Sequence, residues 1–247
     1  MQTVLATDLD GTFLGGDEAA RASLYDWIAA RRDEIVLIFV SGRGLGFMRE
    51  LSQRLSLAPD HMIANVGTTV AAGPDGRALP ELEAWLDGLW PQDAPARIAR
   101  ALAPYPGLTP QPVVEGRRVS RYYTDGAEAA AAQAAIQRLG FETLLSDNRF
   151  FDVLPPGVRK GPTLLRTLSA LGLARERTLV AGDTLNDLSL FETGLAGVAV
   201  ANSEPDLVRA VAQRPNVHLS SHAGAAGVLE ALCVFHERGM PWQRRSS

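Results

Sequence analysis

The chain has 247 residues, enough for one large domain or a core with a smaller companion. Its net charge of −4 argues against a basic face for nucleic acid, and no apolar run approaches the ~18 residues of a membrane-spanning helix. It is 46% hydrophobic, ample for a sizeable core, and a single cysteine, Cys233, excludes a disulfide within the chain. The first apolar run is TVLAT (3–7), a strand that starts too early to leave room for a signal peptide. With the lone cysteine, this gives the expectation of a cytoplasmic protein. Leu24, Trp27, Ile28 and Arg31 fall at helical spacing within 18–32, and IVLIFV (35–40) is strand-sized. A helix near 44–56 and a short buried strand, HMIANVG (61–67), follow.

The middle reads differently. A helix over 81–103 leads to the strand-like PVVEG and RRVSRYYT, then to an Ala-rich helix (126–139), then to ETLLS and RFFDVL. EGRR and SDNR look like hairpin turns, and paired strands beside helices predict a small α+β unit. Pro155-Pro156-Gly157 punctuates the return to the first pattern. There RTLVAGD (177–183), a short helix (187–194), GVAVAN (197–202), a helix near 205–213, NVHLS (216–220) and a last helix (224–237) complete the alternation. Short, unbroken apolar strands separated by helices predict a parallel sheet covered on both faces. The expected division is a core of residues 1–79 and 158–247, with residues 80–157 inserted as a cap.

Four fragments carry the chemistry. DLDGT (8–12), SGR (41–43) and GDTLND (182–187) each follow an apolar strand, and RKG (159–161) opens a helix. Ligands of open α/β sheets bind outside the carboxyl ends of the strands, so the three loops should converge on one crevice. Gathered there would be Asp8, Asp10, Asp183 and Asp187, with Lys160 as a cation and Thr12, Ser41 and Gly42 as small donors. Two carboxylates one residue apart repel each other unless something positive lies between them. Hard oxygen ligands in such a cluster suit Mg²⁺, and backbone N–H groups with a lysine suit phosphate. One carboxylate could attack a phosphoryl group while the other moves a proton.

These four motifs, in this order, resemble those of the haloacid dehalogenase superfamily of phosphatases and phosphomutases. The resemblance covers essentially the whole chain, and the insert resembles a type IIB cap. NVGTTV (65–70), FFDVLPPGVRKG (150–161) and HAGAAGVLEAL (222–232) resemble most the sucrose-phosphate phosphatase branch. The resemblance implies an α/β fold with a Rossmann-like parallel-sheet core, helices on both faces and an inserted α+β cap. It implies Asp8 as nucleophile and Asp10 as general acid/base. Mg²⁺ would be held by Asp8, the Asp10 main-chain carbonyl and Asp183, with Asp187 ligating or orienting a water. Ser41 and Gly42 would meet the phosphate, Lys160 would steady Asp8 and the phosphoryl group, Asn186 would orient the acidic loop or touch phosphate, and Thr12 would buttress the turn and Asp10. The expected activity is Mg²⁺-dependent hydrolysis of a small sugar or glycoside phosphate, with sucrose 6-phosphate as the leading candidate. Glucosylglycerate phosphate, mannosylglycerate phosphate and simple hexose phosphates are alternatives. The same core would also serve a phosphosugar mutase or a non-catalytic sugar-phosphate sensor.

Plainer readings apply to other residues. Arg43 is expected to support its loop, Asn202 to cap the next helix and Asn65 to support the link between core and cap. Arg118, Tyr122, Asn148 and Arg149, near the expected hairpins, are candidate substrate contacts in the cap. Arg117, Arg121 and Tyr123 share that neighbourhood. The four histidines show no ligand spacing, which argues against zinc. The tail WQRRSS reads as a frayed end.

Overall fold

A computed structural model describes residues 2–113, 116–146 and 148–239. The expected tail lies outside the described residues, as do parts of the expected EGRR and SDNR turns and of PVVEG.

The core is one eight-stranded sheet. Its strands are β1 (Thr3–Thr7), β2 (Ile35–Val40), β3 (His61–Ala64), β4 (Thr69–Ala72), β5 (Arg77–Ala78), β10 (Thr178–Gly182), β11 (Ala196–Ala199) and β12 (Val217–Leu219), in the order β12-β11-β10-β1-β2-β3-β4-β5. Pairing is parallel from β12 to β3 and antiparallel from β3 to β5. Every residue of β1, β2, β10 and β11 is buried, as a doubly covered parallel sheet requires. One face packs on α1 (Glu18–Ala29), α2 (Leu45–Arg54) and α9 (Gly224–Arg238), through Leu24, Ile28, Met48, Val228, Leu232 and Phe235. The other packs on α3 (Pro80–Leu89), α6 (Lys160–Ala170), α7 (Leu188–Phe191) and α8 (Pro205–Val211), through Leu82, Leu86, Leu164, Leu168, Phe191 and Leu207. The predicted parallel core with helices on both faces is therefore present.

The antiparallel pair β4–β5 is absent from the sequence reading. Its turn, Gly73-Pro74-Asp75-Gly76, places both glycines at positive φ (69° and 72°), where glycine alone is unstrained. The helix expected over 81–103 is two helices, α3 and α4 (Ala94–Leu102). They part at Trp90 (φ −124°, ψ 86°), because Pro91 disfavours helical backbone in the residue before it.

The second sheet is antiparallel, in the order β6-β7-β9-β8. Its strands are β6 (Thr109–Pro110), β7 (Val119–Tyr122), β8 (Glu142–Ser146) and β9 (Phe150–Leu154). Among the described residues, the strand pairing with β7 on that side is the two-residue β6. Asp125 caps α5 (Gly126–Gln137), accepting from Ala127 N at 2.8 Å. Phe151 and Val153 of β9 pack with Ile98, Ala132 and Ile136 in a separate apolar cluster that begins near Trp90. Residue 80, the expected start of the cap, opens α3, whose Leu82 and Leu86 pack in the core instead. Alternation on β7 and β9 turns Ser120, Tyr122, Phe150 and Asp152 to the opposite face of the cap sheet.

Candidate active site

β1, β2 and β10 are adjacent, and their carboxyl ends deliver DLDGT, SGR and GDTLND to one place. Asp8 follows β1 directly, only 5% exposed. The chain then turns at Gly11 (φ 79°), where a Cβ would stand 2.1 Å from Asp183 Oδ2. Opposite, Lys160 opens α6 with its side chain fully buried. Its Nζ donates to Asp8 Oδ1 at 2.7 Å and to Asp187 Oδ1 at 2.6 Å. The other oxygen of Asp187 accepts from the main-chain N–H groups of Asp183 and Thr184, both at 3.1 Å, which fixes the 183–187 loop. Gly161 packs against Ser189; a Cβ there would meet the Ser189 carbonyl at 1.9 Å, so glycine lets α6 bring Lys160 this close.

Three carboxylates share this one ammonium. One oxygen from each of Asp8, Asp183 and Asp187 lies within 4.8 Å of the others. Burial, then the Asp187 charge, pushes the Asp8 carboxyl well above the usual range, and burial pushes Asp183 up to about 6. Burial would also lower Lys160, but Asp187 and Asp8 more than offset it and hold the ammonium above its ordinary value. A trio of hard oxygens with excess negative charge fits a divalent cation, whose charge would reverse the upward shifts and keep Asp8 ionised.

The remaining expected residues are placed as follows. Thr12, fully buried, donates to Asp183 Oδ1 at 2.8 Å, so it buttresses the acidic loop rather than Asp10. The expectation for Asp10 as a ligand concerned its main-chain carbonyl; its carboxylate turns to Arg43, Oδ2 accepting from Nε at 2.8 Å and Oδ1 from Nη2 at 3.2 Å. Arg43 therefore does more than support its loop. Ser41 is buried; its N–H donates to Ile63 O and its Oγ accepts from Arg43 N at 3.1 Å. Gly42 lies partly exposed beside it. Asn186 stands in the turn between Asp183 and Asp187, its side-chain oxygen buried and without a partner among the described residues.

Two connections escape a sequence reading. Asn202 does not cap α8. Its Nδ2 donates to Gly11 O at 3.0 Å and approaches Asp183 Oδ2 at 3.4 Å, while its Oδ1 accepts from Gly224 N, the first residue of α9. Asn65, Val66 and Gly67 form a left-handed turn (φ 53°, 62° and 104°). Such backbone strains a β-branched residue by roughly 1–3 kcal/mol and persists only where its surroundings impose it. Here Asn65 N donates to Arg43 O, Val66 N to Ser41 O, and Thr163 Oγ1 to Gly67 O. The turn thus binds the SGR loop to α6. Gly116 of the cap packs on it, and Arg117 reaches Thr68 O at 3.0 Å while pairing with Glu83 and Asp87.

β8 lies against the 185–187 turn, which brings the cap sheet to the pocket. On the face away from the cap's apolar cluster, Ser120 donates to Asp152, and Arg118 stands 3.8 Å from Asp152. Burial raises the Asp152 carboxyl; Arg118 and Ser120 oppose the shift. Arg149 covers the Tyr122 ring at 4.8 Å, and Asn148 (φ 45°) makes the turn beside it. Of the four expected cap residues, Arg149 thus stacks on Tyr122 with Asn148 in the adjoining turn, and Arg118 pairs with Asp152. Tyr123 belongs to the cap's own apolar cluster.

A cluster of carboxylates around one buried lysine, at the carboxyl end of a parallel sheet and beneath an inserted α+β cap, is the architecture of the haloacid dehalogenase superfamily. Residues 1–236 match the model of the sucrose-6F-phosphate phosphohydrolase family, and the chain belongs to that family. It is 40% identical over 235 residues to a glucosylglycerol-phosphate synthase of Pseudomonas anguilliseptica, covering 94% of this chain but 30% of that one. It is 32% identical to a mannosylfructose-phosphate phosphatase of Agrobacterium fabrum, covering 93% of this chain and 95% of that one. The solved sucrose-phosphatase of Synechocystis, in complex with sucrose and phosphate, superposes with a TM-score of 0.81 at 27% identity, covering 95% of this chain and 98% of that one.

Proposed function

We propose that the protein is a Mg²⁺-dependent phosphatase of a small phosphorylated glycoside, working through an aspartyl-phosphate on Asp8. As a family member it is a sugar phosphatase; the metal, the residue roles and the substrate are the finer reading. The observation that carries it is Asp8, buried, ion-paired to Lys160 and clustered with Asp183 and Asp187. Asp8, Asp183 and Asp187 would hold the cation, which supplies charge neutralisation to the phosphoryl oxygens. Lys160 and the Ser41 hydroxyl meet the same oxygens, with Gly42 at their side. Asp8 attacks phosphorus, the bond to the sugar oxygen breaks, and Asp10 gives that oxygen a proton. Asp10 then takes a proton from the water that attacks the aspartyl-phosphate, which releases phosphate and restores Asp8. Asn186 orients the acidic loop, and the cap face of Tyr122, Asn148, Arg149 and the Arg118–Asp152–Ser120 group meets the glycosyl unit.

Two substrates stand first. Sucrose 6-phosphate is supported by the family model and by the Synechocystis complex. Glucosylglycerol phosphate is supported by the 40% identity to a polypeptide named for making it. The test is phosphate release, with Mg²⁺ and with EDTA, from these two, mannosylfructose phosphate, glucosylglycerate and mannosylglycerate phosphates and simple hexose phosphates. Strong Mg²⁺-dependent release from one glycoside phosphate, lost in Asp8→Asn, supports the reading. An isomerised sugar phosphate without free phosphate would mean a mutase, and binding without turnover a sensor.

A further inference from the structure

We infer that Arg43 is a positioning residue for the acid/base carboxylate, acting through Asp10 rather than on the phosphoryl group; this rests on the phosphatase reading above. Three observations carry it. The guanidinium grips Asp10 through both oxygens, at 2.8 and 3.2 Å, a fork that fixes the plane of the carboxylate as well as its position. The guanidinium is itself held from below, 4.9 Å over the Phe47 ring of α2, while Arg43 N donates to Ser41 Oγ and Arg43 O accepts from Asn65 N. And the pair is half exposed, with the Arg43 and Asp10 side chains at 53% and 52%. Exposed pairs of this kind contribute little to stability, so its consequence is where it puts Asp10.

That placement matters chemically. Asp10 lies outside the Asp8–Asp183–Asp187 cluster, and among the described residues Arg43 is the side chain that holds its carboxylate. A proton donor two residues from the nucleophile must stand at the pocket mouth, where the leaving oxygen emerges, and not fold back onto Asp8. As Asp8 Oδ–P forms, P–O to the sugar breaks and the proton on Asp10 passes to the departing oxygen. In the second half, Asp10 accepts the proton of the attacking water. Arg43 fixes the geometry of both transfers.

The experiment compares esters that differ in their need for a proton. Wild type, Arg43→Met, Arg43→Lys, Asp10→Asn and Arg43→Met/Asp10→Asn are assayed on sucrose 6-phosphate and glucosylglycerol phosphate, and on p-nitrophenyl phosphate, whose phenolate departs unprotonated. In Arg43→Met, kcat/KM on the sugar esters should fall about a hundredfold, the scale of a positioned proton donor. On p-nitrophenyl phosphate kcat/KM should stay within about threefold. A burst of one equivalent of p-nitrophenolate should then precede slow turnover, because the hydrolysis of aspartyl-phosphate still needs Asp10. Arg43→Lys should recover part of the loss, and Arg43→Met should cost nothing further in the Asp10→Asn background. Equal losses on both kinds of ester would assign Arg43 to phosphate binding and overturn the inference. Sugar-ester activity lost in Asp10→Asn but kept in Arg43→Met would overturn it while leaving the phosphatase reading intact. Turnover of no ester by wild type would overturn both.

Discussion

Replacing Lys160 by methionine keeps the length of the side chain and removes its charge. In the native pocket the ammonium makes two contacts, 2.7 Å to Asp8 and 2.6 Å to Asp187, with its side chain fully buried. At an effective dielectric constant of about 20, each contact is worth roughly 6 kcal/mol of attraction before desolvation is counted. Burying the charges offsets much of that, and removing one partner of such a group leaves a net loss of about 3–5 kcal/mol. At about 2–4 °C per kcal/mol for a chain of this size, Lys160→Met should unfold roughly 6–20 °C lower in a calorimetric scan. Its kcat for phosphate release should fall at least about a hundredfold, the usual effect of removing one donor from a developing oxyanion. Added MgCl₂ should raise the midpoint of the variant, because a cation bound only by the folded state stabilises it by mass action. A variant that melts within about 2 °C of wild type and hydrolyses normally would refute the electrostatic account of the pocket.

Gly11→Ala forces a Cβ to within 2.1 Å of Asp183 Oδ2 at a φ of 79°, so it should lower kcat by more than about tenfold and weaken Mg²⁺ binding measured by calorimetry. Arg117→Ala removes the hydrogen bond from the cap to Thr68 O and the pairs to Glu83 and Asp87; hydrogen exchange at residues 65–69 should quicken, with KM rising about tenfold while kcat holds. Burial alone would raise the Glu230 carboxyl, but hydrogen bonds with Ser220, His222 and His218 hold it near 2. Its folded value lies below its unfolded one, so its contribution is complete above about pH 4.5 and is lost as pH falls through about 2. Acid unfolding followed by circular dichroism should accordingly be less steep across that window in Glu230→Gln.

The pocket was legible because each of its parts is a short local pattern. DLDGT, SGR and GDTLND stand where apolar strands end, and the doubly covered sheet makes those ends converge. Lys160, in a bare Lys-Gly pair at the head of a helix, stood out by its position before GDTLND. What local pattern does not encode was missed. The Arg118–Asp152 and Ser120–Asp152 contacts join residues 34 and 32 positions apart, through pairing that no run of residues displays. Asn202 looked like a helix cap because asparagine favours caps, and it does bind a helix start, but that of α9. The break at Trp90-Pro91 and the Gly73–Gly76 turn, by contrast, were written plainly and overridden by a long helical rhythm on one side and by a short strand on the other.

The link through Asn202 has a consequence for how the molecule comes into being. Asp8 is synthesised well before residues 178–224, yet β1 lies between β2 and β10 and needs strand partners from both halves of the chain. Asp183, Asn202 and Gly224 are then joined in one chain of contacts, and Gly224 heads the last described helix. Until that helix is synthesised, one face of the sheet lacks Val228, Leu232 and Phe235, and the acidic loop lacks its tether. A nascent chain halted before residue 224 therefore carries Asp8 but an uncovered sheet, the kind of surface that chaperones hold.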